Sequence, residues 1–151
     1  MTPEAIAELT LAWLSLWAQD GQLISAAESA LGLYSTNNTW TSLLDQWKSG
    51  DLSTAPAIEF ASSTNIGGAL GIYDSTNDRI LINTDWASQA TEAEIQAVFA
   101  EELGHWLDAH FNSTDTPGDE GQLFSSVVLG QSLTASELAA IQAEDDSRTL
   151  S

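Results

Sequence analysis

Apolar residues recur at Ile6, Leu9, Leu11, Trp13, Leu14, Leu16 and Trp17, a helical surface too broad for a solvated helix, so the first helix is expected to be well buried. Thr2-Pro3-Glu4 starts it with an N-cap hydroxyl, a proline at the first helical position and an acid in the first turn, and Asp20-Gly21 ends it. Leu23, Ile24, Ala27, Ala30 and Leu31 predict a second helix over about residues 22–34, and a short third follows around residues 40–47 after Asn37-Asn38. Past Ser49-Gly50-Asp51 the pattern changes. Ile58 and Phe60, then Ala69-Leu70-Gly71-Ile72-Tyr73, read as strand, with Gly67-Gly68 marking a bend or a close backbone approach. Asp74 to Asp78 is turn chemistry and Arg79-Ile80-Leu81-Ile82-Asn83 a returning strand, which makes a β-hairpin. Thr91-Glu92-Ala93-Glu94 is a capping box that opens a long helix through about His110. A turn-rich loop over residues 112–121, a helix over residues 122–129 and a last helix opened by Thr134-Ala135-Ser136-Glu137 complete the chain.

These elements predict an α+β fold in one domain over residues 1–151: a helical N-terminal part (1–50), a β-hairpin region (51–90) and a long helix with C-terminal helices (91–151). Hydrophobic residues make up 43% and charged residues 17% of the sequence, which is too apolar for a disordered chain. The six tryptophans, among them Trp13, Trp17, Trp40 and Trp47 at helical spacings, read as packing material.

Charge narrows the partners. Against 22 acidic side chains stand three basic ones, for a formal net charge of -19. Such a surface repels nucleic acid and anionic membrane surfaces and favours divalent cations and basic partners; acidity that merely keeps the chain soluble in a salty medium is the plainer account. No run reaches the roughly 20 apolar residues of a membrane span, and the first twenty residues lack the basic start of a signal peptide. With no cysteine, any metal must be held by histidine and carboxylate.

The long helix holds the candidate chemistry. At about 100° per residue, Glu101, His105 and Asp108 share one face, with Glu102 beside it, whereas Phe99, Leu103, Trp106 and His110 lie opposite and read as packing residues. In HExxH enzymes two histidines bind zinc and the glutamate beside the first acts as general base. Here Glu101 stands at the first histidine, Glu102 keeps the base position and His105 the second ligand position, while Gly104 leaves space for a neighbouring helix. Alone, EExGH is a weak signal, since Glu and His one turn apart also occur on solvated helices. Glu144-Asp145-Asp146 is a second acidic cluster, read as solvated, and the Asp74 turn lacks the spacing of a calcium loop.

The hairpin followed by a capped helix with this signature resembles the edge-strand and active-site-helix unit of zincins, and Asp115 to Gly121 leading into Gln122-Leu123-Phe124 resembles their third-ligand helix. More closely, Glu101-Glu102-Leu103-Gly104-His105-Trp106-Leu107-Asp108, then Asp115-Thr116-Pro117-Gly118-Asp119-Glu120-Gly121, then Glu144-Asp145-Asp146, looks like a zincin-like domain attached to large secreted bacterial calcium-binding proteins, over about residues 43–150. The resemblance implies a zincin-like fold, a peptidase ancestry and an extracellular setting within a larger protein. It also implies a divalent metal, zinc with calcium or manganese as alternatives, on Glu101, His105 and Glu120, with Asp119 or Asp108 as the alternative third ligand, and Glu102 as catalytic base. The departure at Glu101 leaves two functions open: a metallopeptidase acting on a peptide laid along residues 79–83 or 69–73, or a non-catalytic, cation-stabilised module that binds a protein partner.

Overall fold

A computed structural model describes residues 2–112 and 120–130, with the side chain of Glu120 outside the description. The predicted last helix and the acidic cluster Glu144-Asp145-Asp146 also lie outside the described residues. The first helix, α1 (Pro3–Asp20), starts as its sequence predicts, Thr2 Oγ1 accepting from the Ala5 amide, and ends on Gly21 in the left-handed region at φ 86°. Next, α2 (Gln22–Leu31) stops three residues short of the expected boundary because Gly32, at φ 65°, turns its amide back onto the carbonyls of Ala27 and Glu28. Asn37 caps α3 (Asn38–Lys48).

Three strands form one sheet in the order β1-β3-β2: β1 (Ala57–Ala61), β2 (Gly71–Asp74) and β3 (Arg79–Asn83). The expected hairpin is present as β2 and β3, antiparallel with Ile72 opposite Leu81. Beyond the expectation, β1 joins it parallel to β3, with Phe60 opposite Ile82. So β3, one of the two candidate edges, is the central strand. A short α4 (Thr84–Ala87), capped by Asn83, leads to α5 (Glu92–Phe111), whose capping box is complete. Last comes α6 (Glu120–Val128), which takes Glu120 and Gly121 out of the expected loop.

The core gathers buried side chains from α1 through α6 and from β2 and β3 around α5. Aromatic contacts tie the N-terminal helices to it. Trp17 stacks on Phe99 at 5.9 Å, and Trp13 lies 6.3 Å from the same ring. Further along α5, Trp106 sits 6.0 Å from Trp47, and Phe111 meets Trp40 edge-on at 5.7 Å. Burying rings this size stabilises by roughly 1.5–3 kcal/mol each, enough to fix α5 between sheet and helices. The tryptophans are therefore packing residues, as their spacing predicts.

Candidate active site

The candidate residues sit in the middle of α5, and each face of that helix is assigned by what covers it. Ile95, Phe99, Leu103 and Leu107 are fully or almost fully buried and anchor the helix. Glu101 and His105, one turn apart, are half-buried on the side that receives α6. The two helices cross at glycines. A β-carbon at Gly104 would lie 2.9 Å from Phe124 Cβ and 3.2 Å from Gly121 Cα, so the space expected at Gly104 is filled by α6. A β-carbon at Gly121 would lie 2.5 Å from His105 Nε2 and 2.9 Å from the Glu101 carbonyl oxygen. Hence the imidazole nitrogen is turned onto the first turn of α6, beside the residue that begins it, Glu120.

Glu102 faces the sheet instead. It is 7% exposed, and its Cγ would lie 3.3 Å from a β-carbon on Gly71 in β2, whose absence lets strand and helix approach. Asn83, itself buried, fixes the start of that strand: its amide donates to the Leu70 carbonyl and its Nδ2 to the Ala69 carbonyl, both at 3.0 Å. Because Leu70 is bonded toward β3, alternation along an antiparallel strand sends the N–H and C=O of Gly71 and Tyr73 to the outer side of β2. No described strand pairs with that side. The choice between the two candidate edges falls on β2, directly above Glu102.

The other predicted ligands divide. Asp108 is 3% exposed, and its Oδ1 accepts from Asn112 Nδ2 at 2.6 Å while the same amide group donates to the Leu31 carbonyl at 3.0 Å. This relay fastens the end of α5 to the end of α2. Asp119 lies outside the described residues, as does the Glu120 side chain. Among the described residues no three His, Asp or Glu side chains converge on one point, so the set Glu101, His105 and Asp108 does not form a cage by itself. His110 stacks on Trp106 at 4.1 Å and bonds to Asp78, in keeping with its packing role. What the described part supplies is one imidazole and one carboxylate-bearing residue a turn apart, borderline and hard donors respectively, with Gly121 bringing the start of α6 close to the imidazole. Imidazole and carboxylate are donor types that suit a divalent metal, and two donors alone do not complete a site.

Three positioning residues escaped sequence reasoning. Gly67 and Gly68, with φ 62° and 79°, make a bend with open space around them, whereas the close approach is at Gly71. Gly121 matters for the same reason. Asn83 looked like the last residue of a strand, and only its buried amide shows that it locks the edge.

The model of peptidase family M48 matches residues 68–147, from the approach to β2 through α6 and beyond. No curated protein and no solved structure matches.

Proposed function

The chain belongs to peptidase family M48, and on that premise we propose that it is a metal-dependent peptidase domain in which Glu101, His105 and Glu120 hold zinc, Glu102 is the general base, and an extended peptide pairs with the outer side of β2. The observation that carries this reading is His105 Nε2 turned toward Gly121, next in sequence to Glu120, one helical turn after Glu101, whose main-chain carbonyl meets the same glycine. Family members are typically zinc-dependent, and a bound divalent ion would polarise the scissile carbonyl and ease the ionisation of water.

The chain's own residues do the rest. Gly71 and Tyr73 offer main-chain groups to a peptide strand, which orients it without regard to its side chains. Glu102, buried beneath that strand, is the group we assign to take a proton from the attacking water and return it to the leaving amine. Glu101 adds a negative charge where a second imidazole would be neutral. It makes the site harder, so that manganese and calcium compete with zinc, and it weakens water activation. We also infer an extracellular setting within a larger protein, which suits so acidic a surface.

Loading the protein with zinc, manganese or calcium and following casein cleavage tests the reading. We expect metal-dependent cleavage that Glu102→Gln lowers by about 10²–10⁴-fold without changing metal binding. Glu101→His, which restores two imidazoles, should raise both zinc affinity and cleavage. Metal-dependent melting without cleavage in either form would instead favour the second reading, a cation-stabilised interaction module; melting insensitive to metal and to His105→Ala would overturn both.

A further inference from the structure

The far end of β2 is tied to α5 through one carboxylate. Asp78, in the β2–β3 turn, receives the Tyr73 hydroxyl at 2.9 Å and lies 2.6 Å from His110 Nε2. A carboxylate only accepts, so that nitrogen carries the proton. A third hydrogen bond comes from the indole of Trp106, which is buried and on which the His110 ring stacks at 4.1 Å. Three donors from two elements therefore meet on one side chain. Tyr73 belongs to β2, whereas Trp106 follows His105 and stands one turn after Glu102 on α5.

The backbone is bent to make this meeting possible. Asp78 has φ 52°, and among the described residues only glycines otherwise enter the left-handed region. Such a conformation strains a residue with a side chain, and aspartate and asparagine bear it better than most. Glycine would fit with less strain, but would leave Tyr73, His110 and Trp106 without their common acceptor. Between this hub and the Asn83 anchor at Ala69 lies Gly71. Pairing with β3 fixes Gly71 within the sheet. Toward α5, where a β-carbon would meet Val98 Cγ1 at 2.5 Å and Glu102 Cγ at 3.3 Å, it offers no polar group. The height of the outer side of β2 above Glu102 is therefore set from its two ends.

We propose that Asp78 is a positioning residue for the substrate edge: by gathering Tyr73, His110 and Trp106 it holds the outer side of β2 at one height over Glu102, so that a peptide laid on Gly71 and Tyr73 meets the base correctly. Its catalytic consequence rests on the peptidase reading, whereas the placement of β2 does not. Asp78 touches neither the proposed metal ligands nor the base, and it acts on substrate only through the strand. Loosening the hub should therefore weaken the binding of extended peptides and spare substrates too short to pair with β2.

Two measurements on Asp78→Gly in the full, zinc-loaded chain test the proposal. The first needs no catalysis: the nuclear Overhauser contact between the Gly71 α-protons and the Val98 γ1 methyl should weaken or vanish. In the second, KM for a peptide of about ten residues, long enough to run along β2, should rise about tenfold, with kcat and zinc affinity retained. A blocked dipeptide should be cleaved as by wild type. Tyr73→Phe, which keeps the ring, should repeat both effects, and Asp78→Asn, which suits the same φ and keeps an acceptor oxygen, should restore part of each. An unchanged Gly71–Val98 contact overturns the proposal whatever the kinetics. So does an equal loss on both substrates, the mark of general destabilisation, or an asparagine variant no better than the glycine one. If wild type cleaves neither substrate, the peptidase reading fails alone and the Gly71–Val98 contact still decides the placement.

Discussion

The candidate site is shaped by three residues without side chains, Gly71, Gly104 and Gly121. At Gly121 an added methyl would meet both the tip of His105 and the fixed carbonyl of Glu101; the imidazole can swing away but the carbonyl cannot. Gly121→Ala should therefore push α6 off α5, costing about 1–3 kcal/mol, and should reduce metal affinity more than His105→Gln reduces thermal stability; melting and metal titration read the two effects. Gly104 was legible as a space-giving residue because it lies inside the signature itself. Gly71 and Gly121 were not, since a close approach is a property of the partner element, and nothing in the residues around either glycine says which element arrives. The pairing of Asp78 was equally hidden. Burial pushes its carboxyl up, but hydrogen bonds from His110, Tyr73 and Trp106, with the charge of His110, outweigh that and hold it below the ordinary 3.8. A depressed carboxyl contributes stability that is complete above its ordinary value and is lost as pH falls through the lower, folded one. Replacing Asp78 by Asn should flatten the acid limb of the melting temperature below about pH 4 and leave the neutral region's pH slope unchanged.

At the scale of elements, the sequence's capping signals set two helix starts well, Thr2 and Thr91 accepting from the amides they were placed to serve, while Asn37, read only as a separator, also caps α3. Thr91→Ala breaks one half of the capping box on α5, whose Oγ1–amide and carboxylate–amide bonds are 3.2 and 2.9 Å, and should cost about 1 kcal/mol in denaturant unfolding. The sheet was only half readable. Short apolar runs identified β2 and β3, and Asp74 with its turn joined them, but the parallel union of β1 with β3 needs a return path that leaves no local mark. Equally, α4 has four residues, too few to show a period. Asn83 bridges both cases, since it ends β3, caps α4 and holds Leu70. Asn83→Ala should lose roughly 1–3 kcal/mol and, by loosening the start of β2, raise KM for peptide more than it lowers kcat.

For the molecule as a whole, legibility ran with composition: the absence of cysteine confined metal ligands to imidazole and carboxylate, and the charge of -19 pointed to cations. Self-repulsion of that size weakens the folded state at low ionic strength, so added sodium chloride should raise the melting temperature most steeply below about 0.1 M, where the screening length still exceeds roughly 10 Å. The same charge bears on the outer side of β2. A short row of main-chain groups with which no described strand pairs is a template for any extended strand, another copy of itself included, and mutual repulsion would keep such copies apart. Near the isoelectric point of about 4.1 that guard is gone, and two molecules can zip together rim to rim; light scattering should show association rising with acidification, and a proline at Tyr73 should suppress it.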